Sequence, residues 1–501
     1  MLGAKLFFLV VGFVQQPLLR RAVGLSDFGG LAQALVVANT VNNVVVASGT
    51  QGVSRVVAGA KGREDEALRA VLKVHVPLAV LIAAAMSAAT PLYARFEQAQ
   101  DVVAPLLVLA GVALLYGLYA PLIGYLNGRN RFGRQALLDV TFATLRTLGL
   151  VGFGFEFVKH GLSGVLGTTL GWVWAAALIV PLAARSTGLG TRLPAAAPRP
   201  ASVPTTGGYL AILAPIAGAQ VCTNALMQID IALLGRFLSE AAASQGLAAE
   251  ARREAVKQWL AIYKECQTFA FLPYQLLFSI TLVLFPMLAR ANAEGDPAAV
   301  RAYVARGARL AAIFGGLLVG VVVAMPQSLL AFAYGAADAA KGAGVLRAMA
   351  LAQAAFAMLG IATTVLTSVG RERTAAFITF AAVVTVGAAC AALVPQADFG
   401  GPQLLRSTQA CGGALLATLL VAAVVVHRRT GAFVPAPTAF RVALALGACL
   451  AAGSVLPRVG RLATPVLAAF VGLAYVGLLV LTREIGGEDL AMVRSLARRR
   501  S

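Results

Sequence analysis

The sequence predicts an all-α, polytopic membrane protein of about fourteen transmembrane helices. Three observations carry that prediction. Of the 501 residues, 59% are hydrophobic and only 12% are charged, where a soluble chain carries roughly a quarter. Mean hydropathy is +0.81. Apolar runs of about twenty residues recur from end to end, each long enough as a helix to cross roughly 30 Å of hydrocarbon.

In order, the runs place spans at 4–23, 28–56, 70–93, 102–127, 134–158, 161–184 and 209–237, then at 258–289, 303–332, 343–369, 373–394, 404–427, 439–456 and 462–482. The first run has no small-residue cleavage site and many like it follow, so it reads as a span and not a removable signal. Pro17, Pro77, Pro121, Pro215, Pro273 and Pro326 mark kinks within the spans.

Basic residues set the orientation. With the N-terminus inside, 26 of the 41 Lys and Arg fall on cytoplasmic ends and loops. Lys61, Arg63, Arg69 and Lys73 follow span two, Arg129, Arg131 and Arg134 follow span four, and Arg371 and Arg373 follow span ten. Arg428 and Arg429 follow span twelve, and Arg498–Arg500 close the chain. This bias places both termini in the cytoplasm. The net charge of +20 is then topology and attraction to anionic lipid, and nucleic acid is not an expected partner.

The spans group into lobes. Tyr125–Phe142 ("YLNGRNRFGRQALLDVTF") and Val365–Phe380 ("VLTSVGRERTAAFITF") close spans four and ten alike, with Gly128 aligned on Gly370. Tyr93 and Tyr334, and Arg55 and Arg290, agree in nearly the same register. Residues 1–184 form an N-terminal six-helix lobe, 185–208 a Pro/Ala/Thr/Gly-rich cytoplasmic linker and 209–427 a second six-helix lobe. Residues 428–482 add two helices, and 483–501 form a basic cytoplasmic tail. Six spans preserve orientation, so the repeat is parallel and the lobes face each other around a central cavity. Ser239–Gln258 reads as a short amphipathic helix on the outer side.

Catalytic signatures are missing. The chain holds no phosphate-binding loop, dinucleotide motif, nucleophile elbow or zinc-protease motif. Cys222, Cys266, Cys390, Cys411 and Cys449 lie in or beside apolar spans and read as small hydrophobes. The three histidines are scattered, so no metal site and no cofactor is expected, and the chain is not expected to be an enzyme.

The remaining signal is polar groups inside spans. Gln16 and Arg20, Asn39 and Asn43, and Gln51 and Arg55 each stand four apart on one helical face. Gln220, Asn224 and Gln228 form a stripe in span seven with Asp230 beside it. Lys264, Thr268, Phe271 and Gln275 share a face of span eight, and Asp139 and Arg146 share one of span five. Asn and Gln in such positions commonly lock helices together, and Arg20 and Arg55 can snorkel from span ends. Arg146 and Lys264 lie deeper, where a cation is costly unless it faces a cavity or a partner.

The stretch "LLRRAVGLSDFGGLAQALVVANTVNNVVVASGTQGVSRVVA" resembles the start of polysaccharide and O-antigen flippases, which belong to the multidrug/oligosaccharidyl-lipid/polysaccharide exporter superfamily. "QIDIALLGRFLS" with "LFPMLARANAEGD" resembles the opening of that family's second half, and "YLNGRNRFGRQ" its span-four exit. The resemblance implies alternating access that carries an undecaprenyl-pyrophosphate-linked oligosaccharide from the cytoplasmic to the periplasmic leaflet of a bacterial inner membrane. That transport would serve surface polysaccharide or lipopolysaccharide synthesis. It further implies a cationic cavity, with Arg146, Lys264, Arg20 and Arg55 facing the pyrophosphate and Asn39, Asn43, Gln16, Asn224 and Gln228 lining it. Asp230 and Asp139 would serve a coupling ion, H⁺ or Na⁺. Membrane lipids and polysaccharide polymerase or export proteins are the implied partners. The residues alone leave other readings open: a lipid II flippase, a cation-coupled multidrug antiporter, an inactive scaffold, and for Asp230 a salt bridge with Arg236.

The topology is open to direct test. Cysteines introduced at Ser244 and at Ser501 are expected to label from opposite sides of the membrane, and labelling from one side removes the fourteen-span, both-termini-inside arrangement.

Overall fold

Hydrocarbon offers no partner to a backbone N–H or C=O, so a spanning chain must satisfy these groups within itself. The computed structural model describes residues 2–60, 62–188, 205–457 and 459–486. Among them regular structure is helix alone, with no strand. The elements are α1 (Leu2–Gly59), α2 (Glu64–Phe96), α3 (Val103–Gly128), α4 (Phe132–Lys159), α5 (Gly164–Thr187), α6 (Thr206–Ser244), α7 (Ala249–Ala270) and α8 (Leu272–Ala293). They continue with α9 (Pro297–Ala324), α10 (Pro326–Ala333), α11 (Ala336–Ser368), α12 (Glu372–Leu393), α13 (Gly401–Thr430), α14 (Ala436–Val455) and α15 (Thr464–Leu481). Most of the predicted linker, most of the predicted tail, and Lys61 lie outside the described residues.

Twelve of these helices are long and apolar enough to cross a membrane. The difference from fourteen has two sources. The first two predicted spans are the two arms of α1, broken only at Gly24, whose φ of 85° is left-handed. Gln15 meets Thr147, and Val23 packs at Gly154 and Gly164, so the first arm runs parallel to α4. Val45, Val53 and Val57 pack at Gly117, Gly124 and Gly128, so the second arm runs along α3. The chain therefore reverses at one residue. The eighth predicted span is not one helix, because α7 ends and α8 begins around Phe271, just before Pro273. Similarly, the ninth divides into α9 and α10 at Met325–Pro326. A proline lacks the N–H that would continue the preceding turn. The helices continue past Pro17, Pro77, Pro121 and Pro215.

The expected outer amphipathic helix is also revised. Residues from Ser239 to Ser244 extend α6, and those from Ala249 to Gln258 open α7, with a short turn between. The chain packs as two compact units, 1–264 and 265–501. Packing thus divides the chain inside α7, whereas the linker marks where the sequence repeat divides it.

Small residues bring helices of the first unit into backbone contact. A Cβ on Gly149 of α4 would overlap the Gly171 carbonyl oxygen of α5, and one on Gly171 would overlap that of Gly149. On α3, a Cβ at Gly124 would lie 2.8 Å from the Thr50 carbonyl oxygen, and one at Gly128 equally close to that of Ser54. Without a hydrophobic force between helices in lipid, such close packing supplies the association.

In the second unit, α14 and α15 dock on α9. The Tyr475 hydroxyl donates to the Ile313 carbonyl at 3.2 Å, in space left by Gly316. Just past α15, the buried Glu484 carboxylate accepts from Arg309 Nε at 2.8 Å, Thr438 Oγ1 at 2.7 Å and Arg441 Nη1 at 2.9 Å. Burial opposes its charge, but these donors outweigh that and hold the carboxyl below its ordinary range.

The repeat is visible in one turn. Arg131 N donates to Leu126 O after α3, and Arg371 N to Leu366 O after α11, both at 2.8 Å. Asn130 and Gly370 hold the matching left-handed positions, with φ of 55° and 75°. The structural register therefore pairs Asn130 with Gly370, two residues from the register suggested by the Gly-Arg motifs.

Gly149→Ala is expected to lower the thermal stability of detergent-solubilised protein by about 1–3 kcal/mol, the usual cost of overpacking. Gly152→Ala, on the same helix with nothing within 4 Å, is expected to be neutral. Equal effects of the two substitutions would remove the backbone contact as the cause.

Candidate functional site

Every residue singled out from the sequence for binding or coupling lies in the first compact unit. Three polar clusters organise them.

The first joins α1 to α6. Asn43 Nδ2 donates to Asn224 Oδ1 at 2.9 Å, and Asn224 Nδ2 donates to the Gln220 carbonyl at 2.9 Å. Four-residue spacing put both asparagines on single faces, and the fold turns those faces toward each other. Asn39 and Gln228 are half-buried on the same helices. Asn42, which the spacing rule passed over, is 1% exposed, and neither its Oδ1 nor its Nδ2 has a protein partner.

The second cluster joins α6 to α7. The Tyr263 hydroxyl donates to Asp230 Oδ2 at 2.7 Å, and Lys264 is close enough to Asp230 to interact with its charge. Arg236, the alternative partner for Asp230, pairs with Glu240 at 2.8 Å. The expected four-member face of span eight is not kept, because Lys264 and Thr268 stand on α7 and Gln275 on α8, beyond the break at Phe271.

The third surrounds Arg146 on α4. Its guanidinium lies 5.9 Å from the centre of the Trp172 ring of α5 and within hydrogen-bonding reach of the Tyr116 hydroxyl of α3. Trp172 Nε1 donates to that same hydroxyl at 2.8 Å. One residue along, Thr147 Oγ1 donates to Gln15 Oε1 at 3.0 Å, tying α4 to α1. A cation against an indole face gains about 0.5–2 kcal/mol as water is removed, so Arg146 is partly compensated yet half-buried and not sealed. An arginine guanidinium is a planar fork of donors suited to bidentate anion binding. Asp139, two helical turns earlier, acts electrostatically on Tyr119.

The sequence profile of the family described as "polysaccharide biosynthesis protein" matches residues 2–292. The chain belongs to that family. No curated protein matches it. Among solved structures, "Lipid II flippase MurJ, inward closed conformation" is similar over 96% of this chain and 98% of its own, at 12% identity and TM-score 0.73. An inward-facing multidrug resistance MATE family transporter of the MOP superfamily is similar over 84% of this chain and 94% of its own, at 13% identity and TM-score 0.64. A MOP superfamily transporter from Pyrococcus furiosus is similar over 85% and 95%, at 12% identity and TM-score 0.61. At these identities the likeness is one of fold, and the fold is that of the MOP transporters.

Within this family fold the remaining expected cations sit differently. Arg20 is half-buried on the first arm of α1, and Arg55 is exposed near the end of the second. Gln16, chosen for its spacing to Arg20, is half-buried, while its neighbour Gln15 is 5% exposed and makes the contact to α4. Spacing identifies residues that share a face without saying which face meets another helix. Trp172 and Tyr263 carried no polar-stripe signal, since aromatic residues in spans are ordinarily packing.

Proposed function

We propose that this protein is a flippase that moves an undecaprenyl-pyrophosphate-linked oligosaccharide across a bacterial inner membrane by alternating access, with Arg146 as a counter-charge for the pyrophosphate. The polysaccharide biosynthesis family and the MOP transporter fold support the general class. The observation that carries the finer reading is Arg146, a guanidinium midway along a spanning helix, half-buried between Trp172 and Tyr116. Pyrophosphate cannot cross hydrocarbon without compensation, and charge-assisted bonds from arginine supply it. Lys264, Arg20 and Arg55 add positive charge in this reading, and Asn39, Asn43, Gln16, Asn224 and Gln228 supply neutral polar lining. Both termini lie in the cytoplasm. Polysaccharide polymerase and export proteins act on what is delivered.

Asp230 and Asp139 are the coupling carboxylates in this reading. Asp230 has the stronger support, because it is buried, holds a tyrosine hydroxyl and has a lysine near it. Such a carboxylate can exchange a proton or hold a cation.

Vesicles containing purified protein test both roles. Hydrogen bonds to a charged group are worth about 1.5–3 kcal/mol, so Arg146→Ala is expected to slow turnover about ten- to a hundredfold. Arg146→Lys should keep part of the activity, and Arg146→Glu should be worst. Thermal stability is read on the same three variants, and an alanine variant whose stability loss accounts for its whole activity loss removes the substrate role. Turnover of lipid II with none of the oligosaccharide lipid would assign the protein to peptidoglycan precursors instead. In the same vesicles Asp230→Asn is expected to abolish dependence on an imposed H⁺ or Na⁺ gradient, and an unchanged dependence removes its coupling role.

A further inference from the structure

The first unit buries a carboxyl that none of these roles uses. Glu97 follows the last turn of α2, past the end of the spanning segment, yet it is 0% exposed. Gln33 of the second arm of α1 donates from Nε2 to Glu97 Oε2 at 3.4 Å, and Gln33 is itself 2% exposed. Tyr93 donates to the Gln33 carbonyl oxygen at 3.0 Å. From α6, Ser239 Oγ donates to the Glu97 carbonyl oxygen at 3.2 Å. Gly235 leaves the space that the carboxyl fills, since a Cβ there would overlap Oε2.

Two atoms in this arrangement are unsatisfied. Glu97 Oε1 and Gln33 Oε1 are both buried and have no hydrogen-bond partner. Both are acceptors while Glu97 is ionised, and a buried unpaired acceptor costs about 1–3 kcal/mol. A proton on Glu97 Oε1 would turn one of these acceptors into a donor. A carboxylic acid and a primary amide are complementary at two points: the amide N–H donates to one acid oxygen, and the acid O–H donates back to the amide oxygen. The first of these bonds is already present.

We propose that Glu97, paired with Gln33, is a proton-binding site that ties α1, α2 and α6 together at one end of the first unit while it is protonated and loosens that junction when it ionises. The site stands whatever the transported molecule is. A small cleft beside the junction is lined by Gln33 and Ser239 together with Asp101, Arg252, Arg253 and Lys257.

The surroundings favour the neutral acid. Burial pushes the Glu97 carboxyl up to about 8, against the hydrogen bond from Gln33, the nearby Tyr93 and the charge of Arg236. Arg236 of α6 is divided between Glu240, at 2.8 Å, and the ring of Phe96, 4.9 Å from its centre. Lys257 of α7 is taken by Asp101 of the turn before α3. Arg252 and Arg253 face the cleft, and Asp27 of α1 accepts from Gly164 N at 2.7 Å. Arg236 and Lys257 thus each lie in an ion pair with another carboxylate. Because the folded value exceeds the ordinary 4.5, the stability held by this proton is complete at low pH and is lost as pH rises through about 8.

Two measurements on full-length protein in detergent test the site. Infrared titration of wild type should show a protonated carboxyl C=O stretch at neutral pH that disappears with a midpoint near pH 8. Arg236→Gln, which removes the cation opposing protonation, should move that midpoint upward. The thermal midpoint of wild type should fall between about pH 6 and about pH 9, and Glu97→Gln, an uncharged isostere, should remove most of that fall. Absence of a carboxyl band at neutral pH overturns the proposal, as does an Arg236→Gln midpoint that stays or moves down. A stabilisation by Na⁺ alone at about pH 9 that Glu97→Gln abolishes would make the pair a cation site and overturn the proton assignment. Should Glu97→Gln fail to fold, the infrared midpoints of wild type and Arg236→Gln still decide.

Discussion

The packing of the first unit depends on glycine backbones that touch the backbones of neighbouring helices. In lipid, apolar side chains gain little by leaving one apolar surface for another, so helix association rests on contact quality. Gly149 against Gly171 fixes α4 to α5, and Gly124 and Gly128 fix α3 to the second arm of α1. These contacts set the depth and rotation of α4. They thereby decide that Arg146 meets Trp172 and Tyr116 and that Thr147 reaches Gln15. The polar chemistry is positioned by residues that have no chemistry of their own.

Polar groups in the unit fall into two kinds. Pairs such as Asn43–Asn224 and Thr147–Gln15 satisfy each other and act as locks between helices. Arg146, Asp230 and Glu97 are ionisable groups that also meet neutral or aromatic neighbours, Trp172, Tyr263 and Gln33, and Asp230 has Lys264 beside it as well. A neutral partner such as Gln33 can stabilise a proton on Glu97 without cancelling a charge, which leaves the group able to respond to an arriving ion. A full salt bridge such as Arg236–Glu240 lacks that freedom.

The sequence made the fold class legible because hydrocarbon thickness sets span length, and nearly every predicted span has its helix. The breaks were harder. Pro273 and Pro326 end helices while Pro17, Pro77, Pro121 and Pro215 do not, since a freed carbonyl can be satisfied by neighbours that composition does not identify. Helical spacing found Asn43 and Asn224 but chose Gln16 over Gln15, because periodicity gives faces and not directions. Asn42, Tyr263 and Trp172 were invisible to a search for polar stripes. Glu97 was missed for another reason: a carboxylate just past a span end reads as a solvated loop residue, and only the fold lays Gly235 over it.

The reversal at Gly24 bears on how the chain enters the membrane at all. Two spans joined by one non-helical residue have no connecting loop that could cross the bilayer separately. In the finished fold Asp27, just past the bend, rests on the first amide of α5. The two arms are therefore a single biogenesis unit, a helical hairpin delivered to lipid in one step. Its bend meets its anchor only once the fifth helix has been synthesised.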